Sequence, residues 1–109
     1  MEWEVKMFTT QNGKVPVAEF IEKQEAKAQA DISRLISLLK KYGTHLGMPH
    51  SKRLNNILSE LRIRGKNEIR VFYGYRHQTI YILHIFKKKT DKIPHKEIAI
   101  ALNRYNSCH

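Results

Sequence analysis

From Glu60 to Thr90 the chain carries arginines at strand spacing through three apolar segments, and the last segment ends in Lys87-Lys88-Lys89. Cations gathered in this way suit a phosphodiester. The planar guanidinium fork holds two phosphate oxygens at once, which makes Arg62, Arg64 and Arg70 candidates for stabilising a pentacoordinate phosphate dianion. Lysine can act as a base only where neighbouring cations depress its pKa, and Lys87, Lys88 and Lys89 beside Arg70 would supply that setting. RNA brings its own nucleophile, the 2′-hydroxyl, so a protein that aligns it with the adjacent phosphate needs neither a metal nor a histidine. Phe72, Tyr73 and Tyr75 add aromatic faces on which exposed bases can stack.

The elements that must position these groups follow from periodicity. Leu61 and Ile63 alternate with Glu60, Arg62 and Arg64, the pattern of a half-buried strand, and Gly65-Lys66-Asn67 then makes a turn. Glu68–Arg76 is rich in β-branched and aromatic residues, with Ile69, Val71 and Tyr73 on one face and Arg70, Phe72 and Arg76 on the other. After the short link His77-Gln78, Thr79–Phe86 is apolar on both faces, as expected of a strand covered on both sides. Short connections make the three strands an antiparallel meander on which Arg62, Arg64, Arg70 and the lysines can converge.

The first half of the chain reads as support. Trp3, Val5 and Met7 alternate with Glu4 and Lys6 as a first strand, followed by a turn at Asn12-Gly13. From Pro16 the period is helical, with stripes Val17, Phe20, Ile21 and then Ile32, Leu35, Ile36, Leu39, Tyr42, and Gly43 is placed to cap the end. A single helix from 16 to 42 would span about 40 Å, so two helices broken near Glu25–Ala28 are expected. Thr44–Ser51 reads as a loop. Pro94 opens a terminal helix with Ile98, Ala101, Leu102 and Tyr105 at helical spacing. The expected fold is α+β, an antiparallel sheet in the order β-α-α-β-β-β-α with the helices packed on one face, in one domain spanning 1–109. There is no repeat, low-complexity stretch or linker.

Composition narrows the functional classes. Twenty Lys+Arg against ten Asp+Glu give a formal charge of +10 and a pI near 9.9, the range of proteins that meet polyanions. The one cysteine, Cys108, excludes an intrachain disulfide. No apolar run approaches the roughly 20 residues that span a bilayer, and the Met-Glu-Trp-Glu start lacks the regions of a signal peptide, so a cytoplasmic protein without a membrane partner is expected. No phosphate-binding glycine loop, nucleophile elbow or metal-ligand spacing occurs. Among six histidines, His45 and His50 share a loop, His109 is terminal, and His84 sits inside an apolar strand, where a hydrogen-bonded core histidine is the ordinary reading. No metal or cofactor is expected.

The segments Leu61-Arg62-Ile63-Arg64, Ile69-Arg70-Val71-Phe72-Tyr73, Ile82–Thr90, Ile93-Pro94 and Glu97–Ala101 together resemble the RelE/ParE toxin superfamily, and most of all its HigB-type, phage Gp49-like branch. The loop Met48–Leu54 and the Trp3 strand extend the resemblance over nearly the whole chain. The resemblance implies the toxin of a type II toxin–antitoxin system, which enters the ribosomal A site and cleaves mRNA during translation. It implies a cognate antitoxin that carries a helix-turn-helix domain, with operator DNA met only through that partner. By position, Arg62 and Arg64 match the basic residues that RelE-like toxins carry on the second strand. Arg70 matches the arginine that contacts the scissile phosphate, and one of Lys87 to Lys89 matches the cation ending the last strand. Lys52, Arg53 and Lys66 would add field for ribosomal RNA, with Phe72 and Tyr73 as further substrate contacts.

The pattern departs from RelE at one point. RelE has a catalytic tyrosine near its final helix, whereas this chain has Pro94 and His95 there, leaving Tyr73 or His95 as substitutes and Glu60, paired with Arg62, as an alternative base. The same residues also have plainer readings, Arg62 and Arg64 as solvent-facing charges and the lysine run as the blunt end of an edge. Two other functions fit the fold: a ParE-like poison of DNA gyrase, and a basic module that binds RNA without cutting it.

Overall fold

A computed structural model of the protein describes residues 2–108; His109, considered above among the histidines, lies outside them. Periodicity that starts at Pro16 is interrupted once, and the Gln29 side chain explains how the break is held. Helix α1 (Pro16–Glu22) ends, and α2 (Ala26–Tyr42) begins after a three-residue gap. The Gln29 amide donates to the carbonyls of Ile21, Glu22 and Gln24 at 2.9, 3.3 and 3.1 Å, which satisfies acceptors that the end of α1 leaves open. Two helices therefore form, as the length of the segment requires. At the far end of α2, Gly43 has a φ of +57°, and a Cβ there would lie 2.1 Å from the Trp3 ring. Only glycine lets the ring seat against the helix end, where the backbone N–H of Trp3 donates to the Lys40 carbonyl at 2.8 Å.

Five strands form one sheet: β1 (Glu4–Met7), β2 (Ser51–Arg53), β3 (Leu58–Ile63), β4 (Ile69–Arg76) and β5 (Thr79–Lys87), in the spatial order β1-β5-β4-β3-β2. The β4–β5 link places His77 and Gln78 at φ of 52° and 62°, the left-handed pair that a two-residue hairpin of matching twist requires. The α+β class and the order of elements are those expected. Two strand particulars differ. The sheet is mixed, because β1 runs parallel to β5, and the segment read as loop contributes the start of the three-residue strand β2.

Alternation along β4 sorts the core into two clusters. Ile69, Val71 and Tyr73 join Leu61, Ile63, Ile80, Ile82 and Ile85 beneath Val17 of α1 and Ile32, Leu35 and Leu39 of α2. Phe72 points the other way, with Leu58, Leu83 and Phe86, and meets Ala101 of helix α3 (His95–Asn106) and Cys108. The helices thus divide between the faces, α3 lying opposite α1 and α2, where one shared face was expected. A bulge makes this second cluster possible. Phe72 pairs with His84 and Tyr73 with Ile82, so Leu83 is the extra residue and both Leu83 and His84 serve the α3 face. Gly74 allows the close approach, since a Cβ there would lie 2.9 Å from the Tyr105 ring. Arg104 ties α3 down by donating to the Leu83 carbonyl at 2.8 Å.

Candidate functional site

On the face that α3 covers only in part, strand pairing sets Arg62 directly opposite Arg70, with Glu60 opposite Phe72 in the adjacent row. Two like charges in register oppose each other, an arrangement that costs a sheet stability unless something neutralises it. Glu60 does so: its Oε1 lies 3.3 Å from Arg70 Nε and 3.6 Å from Arg62 Nε. The cluster is buried. Arg70 is 2% and Glu60 3% exposed, while the Arg62 side chain retains 18%.

Two carboxylates, Glu60 and Glu68, serve three guanidiniums, Arg62, Arg64 and Arg70, which leaves positive charge in excess. Glu60 Oε2, Arg62 Nε and Arg70 Nε are buried without a hydrogen bond, a partly satisfied network at the centre of the face. Arg70 spends its remaining donors on the Ile69 carbonyl at 3.1 Å and on Glu68 Oε1 at 3.0 Å. The Glu68 carboxylate also lies 3.9 Å from Arg64 Nη1, so this anion bridges two arginines. The hydrogen bond from Arg70 is the main reason its carboxyl is held below the usual carboxylate range. The Glu68 carboxylate is thus the anion that Arg70 and Arg64 hold in this structure.

The lysine run separates by alternation. Lys87 pairs with Ile69 and so belongs to the face of α1 and α2, exposed; Lys88 returns to the arginine face and is half-buried, its N–H donating to the Glu68 carbonyl at 2.7 Å. Lys87, Lys88 and Lys89 still border one cavity of about 410 Å³, which Phe86, Lys96 and Glu97 also line. Lys52 is exposed and faces Glu60 across the β2–β3 pair. Arg53 is not free for a ligand in the same way, since it donates to the carbonyls of Asn55 and Asn56, both at 3.0 Å. Arg64 and Lys66 are exposed beyond the end of β3, and Lys66 borders a hollow next to α2 rather than the arginine face.

Two aromatic candidates lie elsewhere. Phe72 is fully buried, so it has no free face for a base. Tyr73 is 5% exposed on the side of α1 and α2, where its hydroxyl is hydrogen-bonded to Ser51; burial raises its pKa and keeps it a neutral phenol. The stacking role given to both fails for one reason: each ring is needed in a core. Tyr75 keeps 44% of its surface.

A pair that sequence spacing did not reveal stands at the cavity. His84 Nε2 lies 2.8 Å from Glu97 Oε1, and His84 Nδ1 lies 3.4 Å from Arg104 Nη1. Guanidinium can only donate, so Nδ1 is the acceptor and Nε2 carries the proton it gives to Glu97. Burial lowers the His84 pKa, with Glu97 opposing that and Arg104 adding to it, so the ring is neutral near pH 7. Its face stacks on Phe86 at 5.6 Å. The sequence signal was partial: His84 interrupts an apolar run, but its partner is 13 residues away on a helix whose placement depends on the bulge.

Among the described residues no group of His, Cys, Asp and Glu could hold a metal ion, and no helix is long and apolar enough to cross a membrane. The model of one protein family, described as phage derived protein Gp49-like (DUF891), matches residues 19–106. No curated protein matches the chain.

Proposed function

We propose that this chain, which belongs to the Gp49-like family of RelE/HigB-like toxins, is the toxin of a toxin–antitoxin pair and acts as a ribosome-dependent mRNA endonuclease. The observation that carries the reading is the opposed pair Arg62 and Arg70, which share one buried carboxylate, Glu60, and keep both Nε donors unspent. In this reading the scissile phosphate displaces the Glu68 carboxylate, taking Arg70 and Arg64 as its oxygen ligands, with Arg62 adding positive charge from its place opposite Arg70. The adjacent 2′-oxygen attacks phosphorus, the bond to the 5′-oxygen breaks, and the dianion between them is stabilised by charge already in place. The ends are a 2′,3′-cyclic phosphate and a 5′-hydroxyl. No metal takes part. Lys88 and Lys89 hold neighbouring phosphates, and Lys52 adds field toward ribosomal RNA.

Such a toxin works in the cytoplasm, on mRNA that the ribosome has threaded past it. Its antitoxin is acidic where it meets this face, carries a helix-turn-helix domain, and brings the pair to operator DNA.

The test is primer-extension mapping of transcripts after brief induction, with and without a translation inhibitor, for the wild type and for Arg62→Ala and Arg70→Ala checked for folding by circular dichroism. Expected are cuts within translated frames that vanish with either mutation and when ribosomes leave the mRNA. Growth arrest with intact transcripts would replace the reading by gyrase poisoning, and salt-sensitive RNA binding without cuts by a binding module.

A further inference from the structure

Resting on the endonuclease reading for its ligand class, we infer that a cavity at the opposite end of β4 from the lysine run is a subsite for one unstacked RNA base. The cavity holds about 520 Å³ and opens between the segment 44–48 and the β2–β3 connection. Tyr75 forms one wall. Of the three aromatic groups able to stack a base, it alone keeps an exposed ring, and Trp3 fixes that ring edge-to-face at 5.8 Å. Strand rise puts Tyr75 roughly 17 Å along β4 from Arg70, so the base it takes lies beyond the two that flank the scissile phosphate. Lys52 joins the two places, since it lines the cavity and also faces Glu60 across the β2–β3 pair.

The lining matches a nucleotide part by part. Tyr75, Met48 and Ile57 are three of the four large apolar or aromatic side chains left exposed among the described residues, and all three border this cavity. They suit the two flat faces of a base. Its edge needs donors and acceptors. Ser51, Ser59 and Tyr73 bring three hydroxyls, and the Ser51–Tyr73 hydrogen bond uses only one of that pair's two protons. Asn55 spends its amide oxygen on the N–H groups of Ile57 and Leu58, both at 2.8 Å, whereas the exposed Asn56 amide has no partner among the described residues. An unspent amide offers a donor and an acceptor side by side, the complement of a base edge.

The charged lining is cationic throughout: Lys52 and Arg53, with no acid. Arg53 commits Nε and Nη2 to the carbonyls of Asn55 and Asn56, which orients the guanidinium and leaves Nη1 for a phosphate oxygen. An aliphatic side chain from a protein partner fits this lining less well. It would meet Met48 and Ile57 but cover the Asn56 amide and the hydroxyls without giving them a partner, which costs free energy.

The experiment is an amide NMR titration of the whole chain with AMP, GMP, CMP and UMP, with inorganic phosphate, and with an acidic leucine-containing peptide, for the wild type, Tyr75→Ala, Tyr75→Phe and Asn56→Ala. Nucleotides should shift the amides of Lys52, Arg53, Ile57 and Tyr75 saturably, with affinities that differ among the four bases, while phosphate alone leaves those amides in place. Tyr75→Ala weakens nucleotide binding about 5–100-fold, and Tyr75→Phe, which keeps the ring, binds as the wild type does. Asn56→Ala alters an exposed side chain, so it serves should Tyr75→Ala fold poorly; it narrows the differences among bases and keeps the binding. Cavity amides that ignore all four nucleotides, or that move equally with phosphate, would overturn the subsite. Shifts produced by the peptide and not by nucleotides would overturn it in favour of a protein interface. Cleavage on programmed ribosomes separates the two claims: cutting without nucleotide binding overturns the subsite alone, and nucleotide binding without cutting overturns the endonuclease reading.

Discussion

The two faces of the sheet are built from the same strands and solve opposite problems. Beneath α1 and α2 every second residue is apolar, and the one phenol has its hydroxyl partnered. Across the sheet, α3 covers one end with Ala101 and leaves the other to Arg62, Arg70, Glu60 and a lysine-lined cavity. One face follows the local rules of stability, and the other breaks them by opposing like charges and burying unspent donors. Rules broken without a local gain mark where function is expected. The contrast also shows how the buried arginine is fixed: Arg70 is held by acids on both sides, Glu60 and Glu68.

Breaking the shared spine should have the largest effect. Phe72→Ala empties a fully buried site under α3, and a loss of about 3–5 kcal/mol is expected by chemical denaturation, with growth arrest lost through unfolding. Arg70→Ala comes next. It leaves Glu60 buried with one arginine fewer and costs up to about 3–5 kcal/mol, so Arg62→Ala, partly exposed, is the cleaner variant, keeping a cooperative melt while abolishing arrest.

Anions sharpen the comparison. Inorganic phosphate should raise the wild-type melting temperature, by the equivalent of about 2.7 kcal/mol at a hundred times its Kd, and leave Arg62→Ala much less affected. An equal response in both would place the anion elsewhere.

Acid should loosen the arginine face before the other. The folded His84 has its pKa below the ordinary 6.5, so the unfolded chain binds the proton first; its contribution is complete above 6.5 and is lost as pH falls through the lowered value. Glu68 repeats the sign below its ordinary 4.5. A pH series of melting curves should therefore decline below about pH 6.5, and His84→Asn should remove the first part of the decline. Smallest are Lys52→Ala and Lys66→Ala, each within about 0.5 kcal/mol of wild-type stability and lowering the salt slope of RNA binding by about 1 per charge.

How far the sequence could be read differs between the same two faces. Period-two and period-three-to-four patterns located α1, α2, β3, β4 and α3, and an unbroken apolar run located β5, which is buried on both faces. The alternation Ile69-Arg70-Val71-Phe72 assigned faces correctly, but not exposure, which depends on where α3 lands; Phe72 is core for that reason alone. β2 is only three residues long, and β1 finds its parallel partner in β5 at the far end of the chain, so neither the short strand nor that pairing leaves a local signal. Arg62, Arg70 and Glu60 were legible through strand register. Glu97 was not, because its partnership with His84 depends on a one-residue bulge.

The most direct measurement is the chemistry of the ends left on an mRNA by the purified protein acting on programmed ribosomes. A 2′,3′-cyclic phosphate upstream and a 5′-hydroxyl downstream, absent with Arg62→Ala, are what attack by the RNA's own 2′-hydroxyl on a guanidinium-held phosphate predicts. Intact mRNA, or ends bearing a 5′-phosphate, would contradict it.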